Sequence, residues 1–178
     1  MNPEQLHAYY DKSRDWRHLQ ADRLARLALL PTPEASVLDV GCGYGDLYPL
    51  LRKAGNFGEY LGVDLHAPHI ESAQREFPQA RWVVNDVLAW TPPIRFDWVL
   101  TATLFSGEGW GDRLGDMITA LDRMLSWATV GLGIVSNVHH TLIAPWLVER
   151  LDQGHSLHAL PGASHVDQRR DLCVWIEK

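Results

Sequence analysis

VLDVGCGYGD, residues 37–46, sets an apolar run directly before three glycines in five positions and brackets them with Asp39 and Asp46. The run SVLDVG (36–41) has the length and composition of a buried strand. DLYPLLRKAG (46–55) reads as the helix that follows, with Asp46 able to cap it, Pro49 in the tolerated first turn and Gly55 as its stop. A strand passing through a glycine turn into a helix is the opening of a βαβ unit. A turn so stripped of side chains lets a ligand approach the backbone.

The same alternation continues outward from this stretch. EYLGVDL (59–65), ARWVVNDVL (80–88), FDWVLTATL (96–104) and VGLGIVSNV (130–138) read as strands. PHIESAQREFP (68–78), residues 110–127 and TLIAPWLVERLD (141–152) read as helices with one apolar face. Upstream, Asn2 with Pro3 and Gln5 makes a helix start, and Ser13 offers a second cap. Trp16, Leu19, Leu24, Leu27 and Leu30 then recur at near-helical spacing until Pro31 and Pro33 end the section. The last stretch, SHVDQRRDLCVWIEK (164–178), predicts a hairpin. The pattern therefore predicts an α/β fold: a doubly wound, mostly parallel sheet with helices on both faces and a C-terminal antiparallel hairpin. The chain is expected to form one compact domain, with residues 1–34 as a helical segment or lid and 35–178 as the ligand-binding part.

Composition narrows the classes. The chain has 178 residues, 46% hydrophobic and 21% charged, enough for a substantial core. No apolar stretch reaches the ~18 residues of a membrane helix, and the N-terminus lacks a secretory pattern. Two cysteines, Cys42 and Cys173, are too few for a disulfide framework, so a reducing cytoplasm is the expected location. The net charge is −6, and the most basic stretch, SRDWRHLQADRLAR, is interrupted by Asp15 and Asp22. That argues against DNA, and against RNA, as a partner, since phosphate neutralisation supplies most of such affinity.

The ligand at the glycine turn is set by charge. A dinucleotide site wants G-x-G-x-x-G, with the pyrophosphate on the helix dipole. Here the glycines are Gly41, Gly43 and Gly45, and Asp46 stands where the third dinucleotide glycine would fall. Carboxylates suit a ligand that carries cationic groups and hydroxyls in place of phosphates. S-adenosylmethionine has an ammonium, a sulfonium and a ribose diol. Asp64, closing the second strand, suits the ribose hydroxyls, and Asp86, closing the third, suits the adenine amino group. Simpler roles also exist: a tight turn for the glycines, a helix cap for Asp64, a turn carboxylate for Asp86 and a small buried filler for Cys42.

In VLDVGCGYGD, YLGVDL, NDVL and FDWVLTATLF, over residues 35 to 138, the chain resembles the class I S-adenosylmethionine-dependent methyltransferases. The resemblance implies a Rossmann-like sheet of seven strands, the last antiparallel. It also implies that Asp39, Gly41, Cys42, Gly43 and Gly45 surround the methionyl end and that Asp64 takes the ribose. Leu65 would cover one adenine face, Asp86 and Val87 its edge, and Thr101 and Ala102 would lie near the sulfonium.

Methyl transfer from a sulfonium needs alignment and exclusion of water more than acid–base help. A hydroxyl acceptor would gain from a base, and the candidates on the strand-end loops are Glu108, His139 and His140. Tyr9, Tyr10, Trp16, Trp110 and Trp146 are candidates for an aromatic pocket holding a small organic acceptor. No acidic cluster follows the fourth strand, which reads TATL, so no catalytic metal is expected. His155, His158 and His165 are weaker candidates for a base, and His155 and His158, three apart, with Asp167 are the residues that a metal would use if one bound. Two other functions stay open at this level: methyl transfer to a protein or RNA, and a module that holds the cofactor or its demethylated product without transfer.

Overall fold

The computed structural model describes residues 17–102, 104, 105, 110, 113–136, 142–160 and 172–178. Its helices are α1 (Arg17–Leu27), α2 (Leu47–Lys53), α3 (Ala67–Glu76), α4 (Leu114–Trp127) and α5 (Ala144–Asp152). Its strands are β1 (Val37–Val40), β2 (Tyr60–Asp64), β3 (Arg81–Val84), β4 (Phe96–Ala102), β5 (Ala128–Ser136), β6 (Ser156–Ala159) and β7 (Leu172–Glu177). They form one seven-stranded sheet in the order β3-β2-β1-β4-β5-β7-β6. The first five strands are parallel, and β7 runs antiparallel to both β5 and β6.

Burial on both faces explains why β1 is a continuous apolar run interrupted only by Asp39. One face packs Leu38, Val63, Val99, Leu132 and Val174 against Met117, Leu121 and Met124 of α4 and Trp146 of α5. The other packs Val37, Tyr60, Trp82, Trp98 and Leu100 against Leu24 and Leu27 of α1 and Leu47 and Leu51 of α2. α1 is thus part of the body of the domain; residues 1–16, the rest of the expected helical segment or lid, lie outside the described residues.

Strand order reverses between β1 and β4. Successive crossovers lead one way from β1 to β2 and β3 and the other way from β4 to β5, so their C-terminal ends part there and leave a crevice. At the opposite end a clamp fixes the register. Ser36 donates its N–H and its hydroxyl to Asp97 Oδ2 (2.8 Å each), and Thr129 donates to Oδ1 (3.0 Å).

Two expectations need correction. The third strand ends at Val84, not residue 88, because Asn85 and Asp86 turn the chain: the Leu88 N–H bonds Asp86 Oδ1, and the Ala89 and Trp90 N–H groups bond the Asp86 carbonyl. The first arm of the terminal hairpin is SLHA (156–159), upstream of the expected start at 164. Its single large aliphatic residue hid it; His158 gains its place by stacking on Trp175, centroids 4.1 Å apart.

Trp82 supports the crevice floor. A Cβ at either Gly62 or Gly45 would run into its indole, so the ring lies flat under both β2 and the glycine turn. Its N–H is held by the Phe77 carbonyl (3.1 Å) and cannot swing away freely. Gly62→Ala should therefore destabilise the protein by about 1–3 kcal/mol through overpacking, read from urea unfolding. A change within ~0.5 kcal/mol would show that the indole relaxes.

Candidate functional site

The glycine turn runs from β1 into α2 and is left-handed at Gly41, Gly43 and Gly45, with φ of 73°, 54° and 82°. Side chains rarely adopt such angles, which is why the sequence places glycine at each. Their surroundings differ. A Cβ on Gly41 would press on Leu104 and one on Gly45 on Trp82, whereas a Cβ on Gly43 would meet nothing within 4 Å. Gly43 is therefore where bare backbone faces open space.

Asp64, at the end of β2, ties this turn to the next crossover. Its Oδ2 accepts the Gly43 N–H (3.0 Å) and its Oδ1 the His66 N–H (2.8 Å). Beside it Leu65 is 62% exposed, a large apolar side chain left open at the crevice edge. Asp86 and Val87 follow β3, with Val87 buried and one Asp86 oxygen engaged by Leu88 N–H. Arg123 of α4 fastens that segment: it donates to the carbonyls of Val87 (2.9 Å) and Trp90 (2.6 Å) and to Thr91 Oγ1 (3.2 Å). Sequence reasoning missed Arg123, since a basic residue on a helix reads as solvated until its partners are known.

Asp39, inside the end of β1, is buried. It is 3% exposed, lies below the turn, and accepts the Tyr60 hydroxyl at Oδ2 (2.7 Å). Burial pushes its carboxyl up to about 7; the Tyr60 bond opposes this, and the charges of Asp64 and Asp46 add to it. Asp46 occupies the N-cap position of α2, though its side chain makes no capping bond. Cys42 is buried, and burial, then Asp39 and Asp64, raise its thiol well above the ordinary range. That suits a filler, not a nucleophile.

Thr101 and Ala102 end β4 beside the turn. Thr101 is fully buried, and its Oγ1 has no hydrogen-bond partner among the described residues. Trp110 is half-buried at the rim, donating to the Leu104 carbonyl (2.8 Å), packing on Phe105 and lying under the Arg113 guanidinium. Trp146 does not join it. It is 2% exposed, bonds Asp122 Oδ1 (2.6 Å) and cements α5 to α4, which corrects its expected place in an acceptor pocket. Tyr9, Tyr10, Trp16, Glu108, His139 and His140 lie outside the described residues, as do His165 and Asp167. His155 and His158 sit at the far sheet edge, against Glu177.

These residues fit a nucleoside with a cationic tail. Open backbone at Gly43, an exposed apolar side chain at Leu65 and three carboxylates near the turn match its shape and charge. A pyrophosphate would meet like charge there.

Residues 37–126, half of the chain, match the family model of a methyltransferase domain. The chain belongs to the class I S-adenosylmethionine-dependent methyltransferase family. Over 86 residues it is 36% identical to a trans-aconitate 2-methyltransferase of Variovorax paradoxus, covering 48% of this chain and 32% of that protein. A trans-aconitate 2-methyltransferase of Rhodopseudomonas palustris aligns over 182 residues at 26% identity, covering 94% of this chain and 68% of that one. The chain spans about a third of the length of the first of these relatives. Among solved structures, the plantazolicin methyltransferase BpumL in complex with SAH and a desmethyl substrate analogue superposes with a TM-score of 0.70. The two are 15% identical over 99% of this chain and 91% of that one. The N-methyltransferase NodS from Bradyrhizobium japonicum, in complex with S-adenosyl-L-homocysteine, gives 0.63 at 18% identity, over 91% and 86%. At such identities the structural likeness concerns the fold.

The raised Asp39 carboxyl has a measurable sign. Between its unfolded value of 3.8 and about 7 the native group keeps a proton that the unfolded chain has lost. Its contribution to stability therefore falls as pH rises through that window and levels off above it. Asp39→Asn removes the effect. In urea unfolding, the difference between variant and wild type should move in the variant's favour by on the order of 2 kcal/mol from pH 5 to pH 8. A constant difference would refute the raised carboxyl.

Proposed function

We propose that this chain binds S-adenosylmethionine across the C-terminal ends of β1, β2 and β3 and transfers its methyl group to a small organic acceptor. The observation that carries this reading is Gly43: its backbone is left-handed, faces open space and donates its N–H to Asp64. One arrangement thereby offers backbone for the methionyl end and a fixed carboxylate for the ribose.

In this reading Gly41, Cys42, Gly43 and Gly45 border the methionyl group, and Asp64 takes the ribose hydroxyls with lone pairs left beyond its two backbone bonds. Leu65 covers adenine, with Asp86 and Val87 at its edge. Asp39 lies at the end of β1 beside the methionyl end, and Thr101 and Ala102 flank the reacting end. When bound, the sulfonium supplies an activated methyl group. The protein's own task is then to align the acceptor in line with it and to shed water. Trp110 on the β4 rim is the described residue best placed to face an acceptor, while Glu108, His139 and His140 remain the candidate bases by chain position. Residues 1–16 are the candidate cover by chain position.

The small-acceptor class is supported by relatives named for trans-aconitate. Trans-aconitate is accordingly the first acceptor to assay, followed by metabolite extracts with labelled donor and mass spectrometry of the labelled product. For the donor, calorimetry should show S-adenosylhomocysteine binding and no NAD binding. Asp64→Ala should weaken that binding by ~1–3 kcal/mol in a folded protein, the scale of a lost charged hydrogen bond. Unchanged affinity would remove Asp64 from the ribose site, and NAD binding would remove the reading altogether.

A further inference from the structure

Behind Asp64 stands a group that neither the fold nor the family reading assigns. His69, in the first turns of α3, has a side chain 4% exposed, and its Nδ1 lies 3.4 Å from Asp64 Oδ1. Its ring is wedged between Tyr44 of the glycine turn, centroids 4.5 Å apart, and His66 at the mouth of α3, 4.6 Å apart. The neighbouring buried residues of α3 are Ile70 and Ala73. A polar ring in such apolar company is costly to bury unless it meets a polar group, and the carboxylate it meets is that of Asp64.

Geometry gives this contact a purpose. To accept two vicinal hydroxyls a carboxylate must keep its plane fixed, and the terminal torsion of Asp is intrinsically broad. The Gly43 and His66 N–H groups each grip one oxygen from the backbone. The His69 Nδ1, 3.4 Å from Oδ1 and outside hydrogen-bond geometry, adds a third contact from a buried side chain. Mere filling of the space does not require nitrogen: a Leu there would pack between the same two rings.

We infer that His69 is a positioning residue for the cofactor, its buried imidazole holding the Asp64 carboxylate in the orientation that takes the ribose. The inference rests on the proposed function, since it acts through the ribose assignment of Asp64. It makes His69 a determinant of cofactor affinity that does not touch the cofactor's reacting end.

The experiment is calorimetry of S-adenosylhomocysteine binding to the full chain, with melting temperatures recorded alongside. His69→Asn keeps an amide nitrogen where Nδ1 stood and should bind within about threefold of wild type. His69→Leu and His69→Gln remove the nitrogen from that point and should each lose on the order of tenfold in affinity. In an Asp64→Ala background the same two substitutions should cost nothing further, because the residue they act through is gone. Should the Leu variant fail to fold, the Gln variant carries the comparison with Asn. Wild-type affinity in the Gln variant overturns the inference, and so does a tenfold loss that persists beside Asp64→Ala. A wild-type chain that binds no S-adenosylhomocysteine overturns the function and this inference together, which separates the two failures.

Discussion

The bond from the Gly43 N–H to the Asp64 carboxylate holds the two halves of the crevice in one piece. It joins the turn after β1 to the end of β2, across 21 residues of chain. Parallel pairing of β1 with β2 brings these ends side by side, and the bond then fixes the turn above them. Trp82 braces the same turn from below. Removing any of these parts would leave three left-handed glycines, at alternate positions, in loose backbone, with nothing to set where their N–H groups point.

Negative charge gives the crevice its selectivity and carries a cost. Asp39 is buried under the turn with a single tyrosine bond shown against it, and its raised carboxyl reflects that burial. A cation arriving above the turn would relieve the mutual repulsion of Asp39, Asp46 and Asp64. Such an arrangement is unfavourable by itself, and its relief would favour a cationic guest.

The parallel part of the sheet was legible because its strands are buried on both faces and so appear as unbroken apolar runs between glycine and proline punctuation. The glycine turn, Asp64 and Leu65 were legible because their spacing from strand ends is fixed by the crossover geometry. Asp86 was placed at the right end of the sheet but on a turn, since a polar pair after four strand residues ends pairing earlier than hydrophobicity alone indicates. β6 escaped notice because SLHA has one aliphatic side chain and relies on a stack with Trp175, a partner sixteen or more positions away. Trp146 was misplaced for a similar reason: an indole on a helix serves equally to line a cleft or to join helices, and only Asp122 decides between them. His69 and Arg123 act through contacts across elements, which no periodicity reveals.

Arg123 has a consequence for how such a protein diversifies. By gripping the Val87 and Trp90 carbonyls, it anchors the segment after β3, the border of the proposed nucleoside cleft, to the middle of α4, the helix that follows the proposed acceptor rim. The rim loop can then be lengthened, shortened or exchanged without loosening that border, because the fastening lies well beyond the edited segment. Novelty in what is methylated becomes separable from inheritance of what donates the methyl group, and a single guanidinium marks the seam between the two.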